Sequence, residues 1–517
     1  MTTSDDATNG GGGPPAADHE HDPLGGHGAL DPKAYEGLDH GHSGTIVSYK
    51  PTKGLTYDPN DPRYWDADLL AGEVTRVFEV CHGCRMCFKY CDSFPRLFEF
   101  VDDRHGGDVT KLTAPETNAV MDACFQCKLC EVQCPYTPRD GHEFQLDFPK
   151  LVHRHQAQRK RTEGRTLRER VLGDPDTAAT LARASLGLAN VANKNAVHRW
   201  FLEKVLGIHR DKLLPEFARR TFEDWASAQG LVREAADGGE RGAEPGPGPG
   251  PEAVLFQTCY VQHNEPAIGR DTVFVLQHNG VDLACARGLQ CCGMPAWESG
   301  DLEGLRRHAE ANLDRLLPFV ERGAKVLAIN PTCSMMLRNE YPQLVASADT
   351  ERARVLAAAV MDPSEFLWSI RNEARFKSDF KSSPAEGSAD GKVAYHAPCH
   401  LRAQGKGFKG RDLLRKIPGV TPETTMECCG HDGTYAMKVE SFEASARIGT
   451  RAFDGVKDAD AQVWVTDCPL AALQFQQHAG KKPMHPMTVL AKAYRGESFG
   501  PSDTQDTTKS ENEEQRP

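Results

Sequence analysis

The chain has 517 residues and carries 61 Lys+Arg against 73 Asp+Glu, a net charge of −12. That length allows roughly two to four domains, and the acidic balance argues against nucleic acid as the main partner, because phosphate binding needs a basic footprint. No run of about eighteen apolar residues appears, which excludes a membrane-spanning helix, and the N-terminus is acidic and Gly-rich rather than basic and then apolar. The expected setting is therefore cytoplasmic. An odd total of 17 cysteines in such a chain points to metal ligation rather than to a disulfide framework.

Residues 1–60 are expected to form a disordered or extended tail, since the first thirty are Gly, Pro, Asp and His with little apolar content. His19, His21, His27, His40 and His42 read as solvated tail residues rather than metal ligands. Residues 61–150 carry eight cysteines in two runs. Cys81, Cys84, Cys87 and Cys91 are spaced C-x2-C-x2-C-x3-C, and Cys124, Cys127, Cys130 and Cys134 repeat that spacing, with Pro135 after the last. In this pattern three closely spaced thiolates wrap one cubane face and the fourth reaches across to the other cluster. The expected sets are Cys81, Cys84, Cys87 with Cys134, and Cys124, Cys127, Cys130 with Cys91, each holding a [4Fe–4S] cluster. Zinc fits less well, since zinc ribbons pair C-x2-C units across longer gaps. One departure is that Cys91 is followed by Asp92-Ser93-Phe94-Pro95 rather than directly by proline.

Residues 151–236 contain no cysteine and show helical patterns such as Phe201, Val205 and Ile208. Between Arg154 and Arg170 stand seven Arg/Lys and two Glu, which reads as a solvated helix face, a dock for an acidic partner, or a seat on anionic lipid. Residues 237–252 contain PGPGPGP and are expected to be a linker. Residues 498–517 are expected to be a second disordered tail.

The region between that linker and that tail repeats itself. The apolar run Val254-Leu255-Phe256 precedes Cys259, and Val393-Ala394-Tyr395 precedes Cys399, 140 positions later. Cys291-Cys292-Gly293 returns as Cys428-Cys429-Gly430 after 137 positions, and Cys333 returns as Cys468 after 135. A near-constant offset indicates duplication, with one repeat over 253–380 and another over 391–497. Short, continuous apolar runs suit strands buried on both faces, and Leu302, Leu305, Ala309, Leu313, Leu316 and Val320 mark one face of a helix. Alternating β and α elements imply parallel sheets whose ligands gather beyond the strands' carboxyl ends, where Cys259, Cys333, Cys399 and Cys468 fall. The fold class is thus an α+β and α/β multidomain chain: a mainly helical, dicluster ferredoxin-like domain followed by a duplicated α/β cysteine-rich domain. Four thiols per repeat suit an iron–sulfur cluster, a zinc ion or a redox-active thiol pair. The neighbouring ferredoxin-like region, which needs somewhere to send electrons, favours the first.

These motifs resemble the cysteine-rich "CCG" family, which includes heterodisulfide reductase catalytic subunits, lactate-oxidation iron–sulfur proteins and the C subunit of anaerobic glycerol-3-phosphate dehydrogenase. The phrases that carry the likeness are Arg165 to Val171, Leu214-Pro215 with Trp225, His396 to His400, Cys428 to Thr434, Val465 to Pro469, and His485-Pro486, within residues 70 to 495. The resemblance implies an iron–sulfur electron-transfer subunit of a dehydrogenase or reductase complex, with a flavin-bearing partner, one or two further clusters held by the CCG cysteines, and quinone or another carrier as acceptor. It also implies an alternative, a heterodisulfide or thiol–disulfide reductase with catalysis at the CCG clusters. A third reading is a zinc-stabilised scaffold without redox function. Attachment at the inner face of the cytoplasmic membrane would be peripheral. The family motif ends in C-x-x-C, but Met336 and Ala471 stand where the last cysteines belong, which counts against the disulfide chemistry. Cys285 reads as buried packing. His396, His400 and His431 read either as tuning or proton-delivering groups or as loop structure, and Trp297, Trp464, Met335 and Met336 as core. No nucleotide, nicotinamide or flavin fingerprint is present.

Overall fold

The computed structural model describes residues 47–233, 250–386 and 390–499. The five tail histidines, most of the Pro/Gly linker and nearly all of the C-terminal tail lie outside the described residues. The N-terminal boundary shifts, because residues 47–60 pack on the dicluster domain instead of continuing a tail. The Arg76 guanidinium donates to the carbonyl oxygens of Tyr49 (2.9 Å) and Phe144 (2.8 Å). The fully buried Arg154 donates to those of Gly54 (2.7 Å), Arg63 (2.5 Å) and Tyr64 (2.9 Å). A planar guanidinium satisfies several carbonyls at once, and this fixes an otherwise irregular segment.

The dicluster domain is helical. Asp66 opens the helix Ala67–Cys84 by accepting from the Leu69 N–H at 2.9 Å. Thr113 and Glu116 form a capping box on Ala114–Asp122, and Asp147 caps Phe148–Glu163 through the Lys150 N–H at 3.0 Å. Each cap satisfies backbone donors that a helix start leaves open. Val77, Phe78, Phe94, Leu97, Phe125 and Leu151 form the domain's core, and the core continues into Cys399, Cys428 and Tyr435 of the second repeat.

Residues 151–233 are mainly helical, with an irregular stretch from 207 to 221 and a two-residue strand at their end. That strand, β1 (Val232–Arg233), adds to the edge of the first repeat's sheet. β2 (Ala253–Phe256), β3 (Leu283–Ala286), β4 (Lys325–Ala328) and β5 (Val360–Met361) complete an all-parallel sheet in the order β1-β3-β2-β4-β5. The second repeat has β6 (Lys392–His396), β7 (Thr421–Thr425) and β8 (Val463–Thr466) in the order β7-β6-β8. In both repeats the first long strand is central, the next lies on one side and the third on the other. The duplication read from the cysteines is therefore also a duplication of topology.

Alternation along the strands assigns two cores. Val254, Phe256, Val326 and Ala328 face the helix Leu302–Val320, against Leu305, Leu313 and Leu316. Ala253, Leu255 and Leu327 face the other way, into a core that also takes Val393, Tyr395, Val463 and Val465 from the second sheet. The two repeats thus share one hydrophobic interior, and burying each such Leu or Val contributes about 1.5–3 kcal/mol. Cys285 sits in this shared core, 2% exposed, as the packing reading expects. Met335 and Met336 are fully buried, Trp297 is 2% exposed and Trp464 8%, all within hydrophobic cores.

Candidate iron–sulfur sites

The first cysteine run begins at the end of the helix Ala67–Cys84, where Arg85 takes a left-handed conformation (φ 57°) and turns the chain back. In the second run Gln126 and Lys128, on either side of Cys127, are also left-handed (φ 62° and 60°). Two such non-glycine residues in one short loop are uncommon and costly, and here they curl the loop so that its thiols converge. Cys81, Cys84, Cys87 and Cys134 line one small space together with Cys130, Val80, Phe94, Tyr136 and Phe148. Burial first, and then the nearby Cys134, pushes the Cys81 and Cys87 thiols up. Cys91 stands in the same relation to Cys124, raising it after burial does. Cys134 thus lies near thiols of the first run and Cys91 near a thiol of the second. The Cys87 thiol lies 3.8 Å from the Cys130 carbonyl oxygen, so the two groups adjoin.

The CCG cysteines stand just beyond the carboxyl ends of parallel strands. Cys259 follows β2, Cys291-Cys292 follows β3 and Cys333 follows β4, while Cys399, Cys428-Cys429 and Cys468 follow β6, β7 and β8. Gly430, at φ 72°, is required, because a Cβ there would strike the Ser445 carbonyl of the crossing helix Phe442–Asp458. In repeat 1 the thiols form a chain from Cys259 to Cys291 to Cys292 to Cys333. In repeat 2 the Cys428 thiol turns toward the dicluster domain and donates to Cys127, the largest cause of a lowered Cys127 pKa. Cys399, Cys429 and Cys468 instead line a cavity of about 700 Å³ that Cys259, Cys291, Cys292 and Cys333 line from the other repeat.

Burial drives most of these thiols up, Cys134 to about 11 and Cys91 and Cys429 to about 12, so the metal-free site holds protons that metal binding must release. Sulfur donors in buried, mostly apolar surroundings fit iron–sulfur clusters and do not fit hard cations.

The histidines differ in role. His396 is tied into its loop by Thr466 Oγ1 (3.0 Å) and the Glu427 carbonyl (3.1 Å), which is the structural reading. His400 joins three parts of the molecule: its Nδ1 lies 2.9 Å from Thr332 Oγ1 in repeat 1, and its Nε2 lies 2.9 Å from the Gln126 carbonyl in the dicluster domain. The same Nε2 is 3.1 Å from Asp432 Oδ2. His431 faces the cavity and neither ring nitrogen has a hydrogen-bond partner. Burial lowers the pKa of His396 and His400 to about 4 and of His431 to about 3, so all three are neutral.

The cysteine-free segment supplies two further groups that no local pattern announces. Asp176 Oδ2 accepts from the Cys291 N–H at 2.6 Å while Oδ1 lies 3.2 Å from His263 Nε2. Lys212 donates to Gln474 Oε1 beside Cys429, with burial lowering its pKa to about 8. An acid thus flanks repeat 1 and a lysine repeat 2.

Residues 80–137 match the family described as a 4Fe-4S dicluster domain, and residues 253–338 and 393–476 match CCG, the cysteine-rich domain. The chain is an iron–sulfur protein, a dicluster domain joined to a duplicated CCG domain. It is homologous to the C subunit of the anaerobic glycerol-3-phosphate dehydrogenase of Escherichia coli (strain K12), with 28% identity over 336 residues, 63% of this chain and 77% of that protein. The B subunit of the fumarate reductase (CoM/CoB) of Methanothermobacter marburgensis is 26% identical over 249 residues, 47% of this chain and 46% of that one. Lactate utilization protein A 2 of Bacillus cereus is 28% identical over 194 residues, 36% of this chain and 75% of that one.

Proposed function

We propose that the chain is the electron-transfer subunit of a multi-subunit dehydrogenase or reductase, as its relatives' names suggest. Cys81, Cys84, Cys87 and Cys134 hold one [4Fe–4S] cluster, and Cys124, Cys127, Cys130 and Cys91 a second. Cys259, Cys291, Cys292 and Cys333 hold a further cluster, and Cys399, Cys428, Cys429 and Cys468 lie at a fourth centre. Bound clusters would supply one-electron carriers. The observation that carries this reading is the continuity of thiols. The Cys87 thiol abuts the Cys130 carbonyl, the Cys428 thiol adjoins that of Cys127, and Cys399 lies beside both Cys127 and the inter-repeat cavity. Candidate ligands therefore follow one another from the dicluster domain into the repeats. A flavin-bearing subunit is the electron donor in this proposal and a quinone the acceptor. Iron and acid-labile sulfide analysis, with EPR of the anaerobically purified chain, should give several reducible clusters. A zinc protein without sulfide, colourless as a scaffold would be, sinks the proposal.

The quinone end calls for a lipid surface. Among the described residues no helix is long and apolar enough to cross a membrane. The basic stretch read from the sequence is largely engaged internally: Arg154 is buried, Arg165 pairs with Asp301 (2.6 Å), Arg168 with Glu440 (2.6 Å) and Lys160 with Glu169 (2.6 Å). The exposed apolar side chains lie further on, at Leu181, Leu186, Leu188, Val191, Val197, Trp200, Phe201 and Val205, with exposed Lys194 and Lys204 among them. Apolar residues with a tryptophan and a basic fringe suit the headgroup region. The chain should co-sediment with vesicles containing anionic lipid, and Leu186→Asp with Phe201→Asp should abolish it.

The cavity shared by both repeats favours one rival, disulfide or thiol reduction at the CCG centres. Turnover of a disulfide with a reduced viologen donor, lost in Cys428→Ser, would establish it.

A further inference from the structure

Repeat 2 carries an acidic side chain where its metal centre would sit, and repeat 1 has no counterpart. After Cys428-Cys429-Gly430 come His431 and Asp432, and after Cys291-Cys292-Gly293 the same places hold Met294 and Pro295. Asp432 is 4% exposed and lines the inter-repeat cavity with Cys399, Cys429 and Cys468. Its Oδ1 accepts from the Gly433 N–H at 3.1 Å. Its Oδ2 lies 3.8 Å from the Cys399 sulfur and 3.1 Å from His400 Nε2. The donor atoms of Cys399, His400 and Asp432 all fall within 4.8 Å of one another.

Among the described residues no lysine or arginine forms an ion pair with Asp432. The neighbouring acid Glu298 is already matched by Lys438 at 3.0 Å and by the Thr434 N–H at 2.5 Å. His400 Nδ1 lies 2.9 Å from Thr332 Oγ1 and its Nε2 2.9 Å from the Gln126 carbonyl oxygen, so its ring is shared with other partners. A buried carboxyl with no cation beside it sheds its charge by holding a proton, and a metal beside Cys399 would take that proton's place.

We propose that Asp432 is an iron ligand of the repeat-2 cluster, beside Cys399, Cys429 and Cys468. The inference rests on the electron-transfer reading above. His400 stands behind the carboxyl, its Nε2 lying 3.1 Å from Asp432 Oδ2 and 2.9 Å from the Gln126 carbonyl oxygen, as groups behind a metal ligand commonly do. Ala471 does not compete, since its contribution is a backbone N–H directed to the Cys468 sulfur at 3.4 Å. The consequence is chemical asymmetry. Repeat 1 is ligated by sulfur alone, whereas repeat 2 has one iron with an oxygen ligand, a harder and more exchangeable bond than thiolate. That iron would face the cavity next to His431, whose two ring nitrogens are free to meet whatever binds there.

The test uses the full chain, reconstituted anaerobically with iron and sulfide. Mössbauer spectra of the wild type should contain one oxygen-ligated iron site distinct from the thiolate sites. Asp432→Ala should lose about one iron per chain and, after one-electron oxidation with ferricyanide, gain a three-iron EPR signal. Asp432→Cys should restore the iron and remove the oxygen-ligated component. The EPR signals of the dicluster domain, unchanged in both variants, report that the chain is folded. Wild-type iron content and an unaltered Mössbauer spectrum in both variants would overturn the assignment while leaving the electron-transfer reading intact. Absence of sulfide from the wild type would overturn that reading first.

Discussion

Asp362 begins the helix Pro363–Ser369 and is almost wholly buried. Desolvation pushes its carboxyl up to about 6 from an ordinary value of 3.8, against the lowering pull of Ser334 and Arg338. A carboxyl whose folded pKa is raised binds its proton more tightly in the native state than in the unfolded one. Its stabilising effect is therefore complete below the unfolded value and is lost as pH rises through about 6. Asn keeps the shape and capping ability of Asp but carries no charge. Asp362→Asn should match the wild type near pH 4 and be more stable at pH 7.5, by at most about 3 kcal/mol. Denaturant midpoints of the two proteins across that range give the comparison, and parallel curves would refute the burial argument. Nothing local in the sequence marks Asp362, Asp176 or Lys212 as special, because their neighbours arrive from distant segments, whereas Asp432 stands just past Cys428-Cys429-Gly430. The cysteines were legible because cluster ligation imposes a short, regular spacing that few other functions share.

At the scale of elements, the recurring unit is a parallel strand ending in a thiol, and it was readable from sequence as a short apolar run followed within a few residues by cysteine. The run at Val463–Thr466, for instance, is the observed β8. What escaped was pairing beyond those runs. β1 has only two residues, and it finds its partner β3 across the linker, with Val232 opposite Cys285. The basic stretch misled for a related reason, since residue type alone cannot tell that Arg154 turns inward to four carbonyls. The exchange of fourth ligands between the two cysteine runs yields a clear prediction. Cys134→Ser should alter or remove the EPR signal of the cluster on Cys81, Cys84 and Cys87 and leave that of the other run intact. Cys91→Ser should do the reverse. If each substitution instead perturbs the cluster of its own run, the crossed sets are wrong.

The whole molecule is assembled around contacts that let the dicluster domain and the two repeats hold one arrangement, and one of these is a buried ion pair. Lys128 sits between Cys127 and Leu129 in the second cysteine run, and it donates to Glu340 of repeat 1, 212 positions away. The two side chains are 5% and 3% exposed. Lys128 also lies 5.5 Å from the centre of the Trp297 ring, which stacks on His153 at 5.6 Å. Burial opposes both charges, yet Glu340, Glu131 and Asp147 hold the Lys128 pKa up, and Lys128 holds that of Glu340 down. The pair is therefore charged, and each partner depends on the other. Removing one alone leaves an uncompensated charge in the interior, which costs about 3–5 kcal/mol, while replacing both with apolar groups of similar size is often close to neutral. Glu340→Met should accordingly lower the apparent denaturation midpoint strongly, Lys128→Met comparably, and the double variant should recover most of the loss. A double-mutant cycle under anaerobic conditions measures this, since contacting residues are expected to be strongly non-additive. Simple additivity would mean that the domains are held by hydrophobic packing alone. Recovery in the double variant would show that the pair specifies how the second cysteine run seats against repeat 1, and with it the spacing across which electrons must pass.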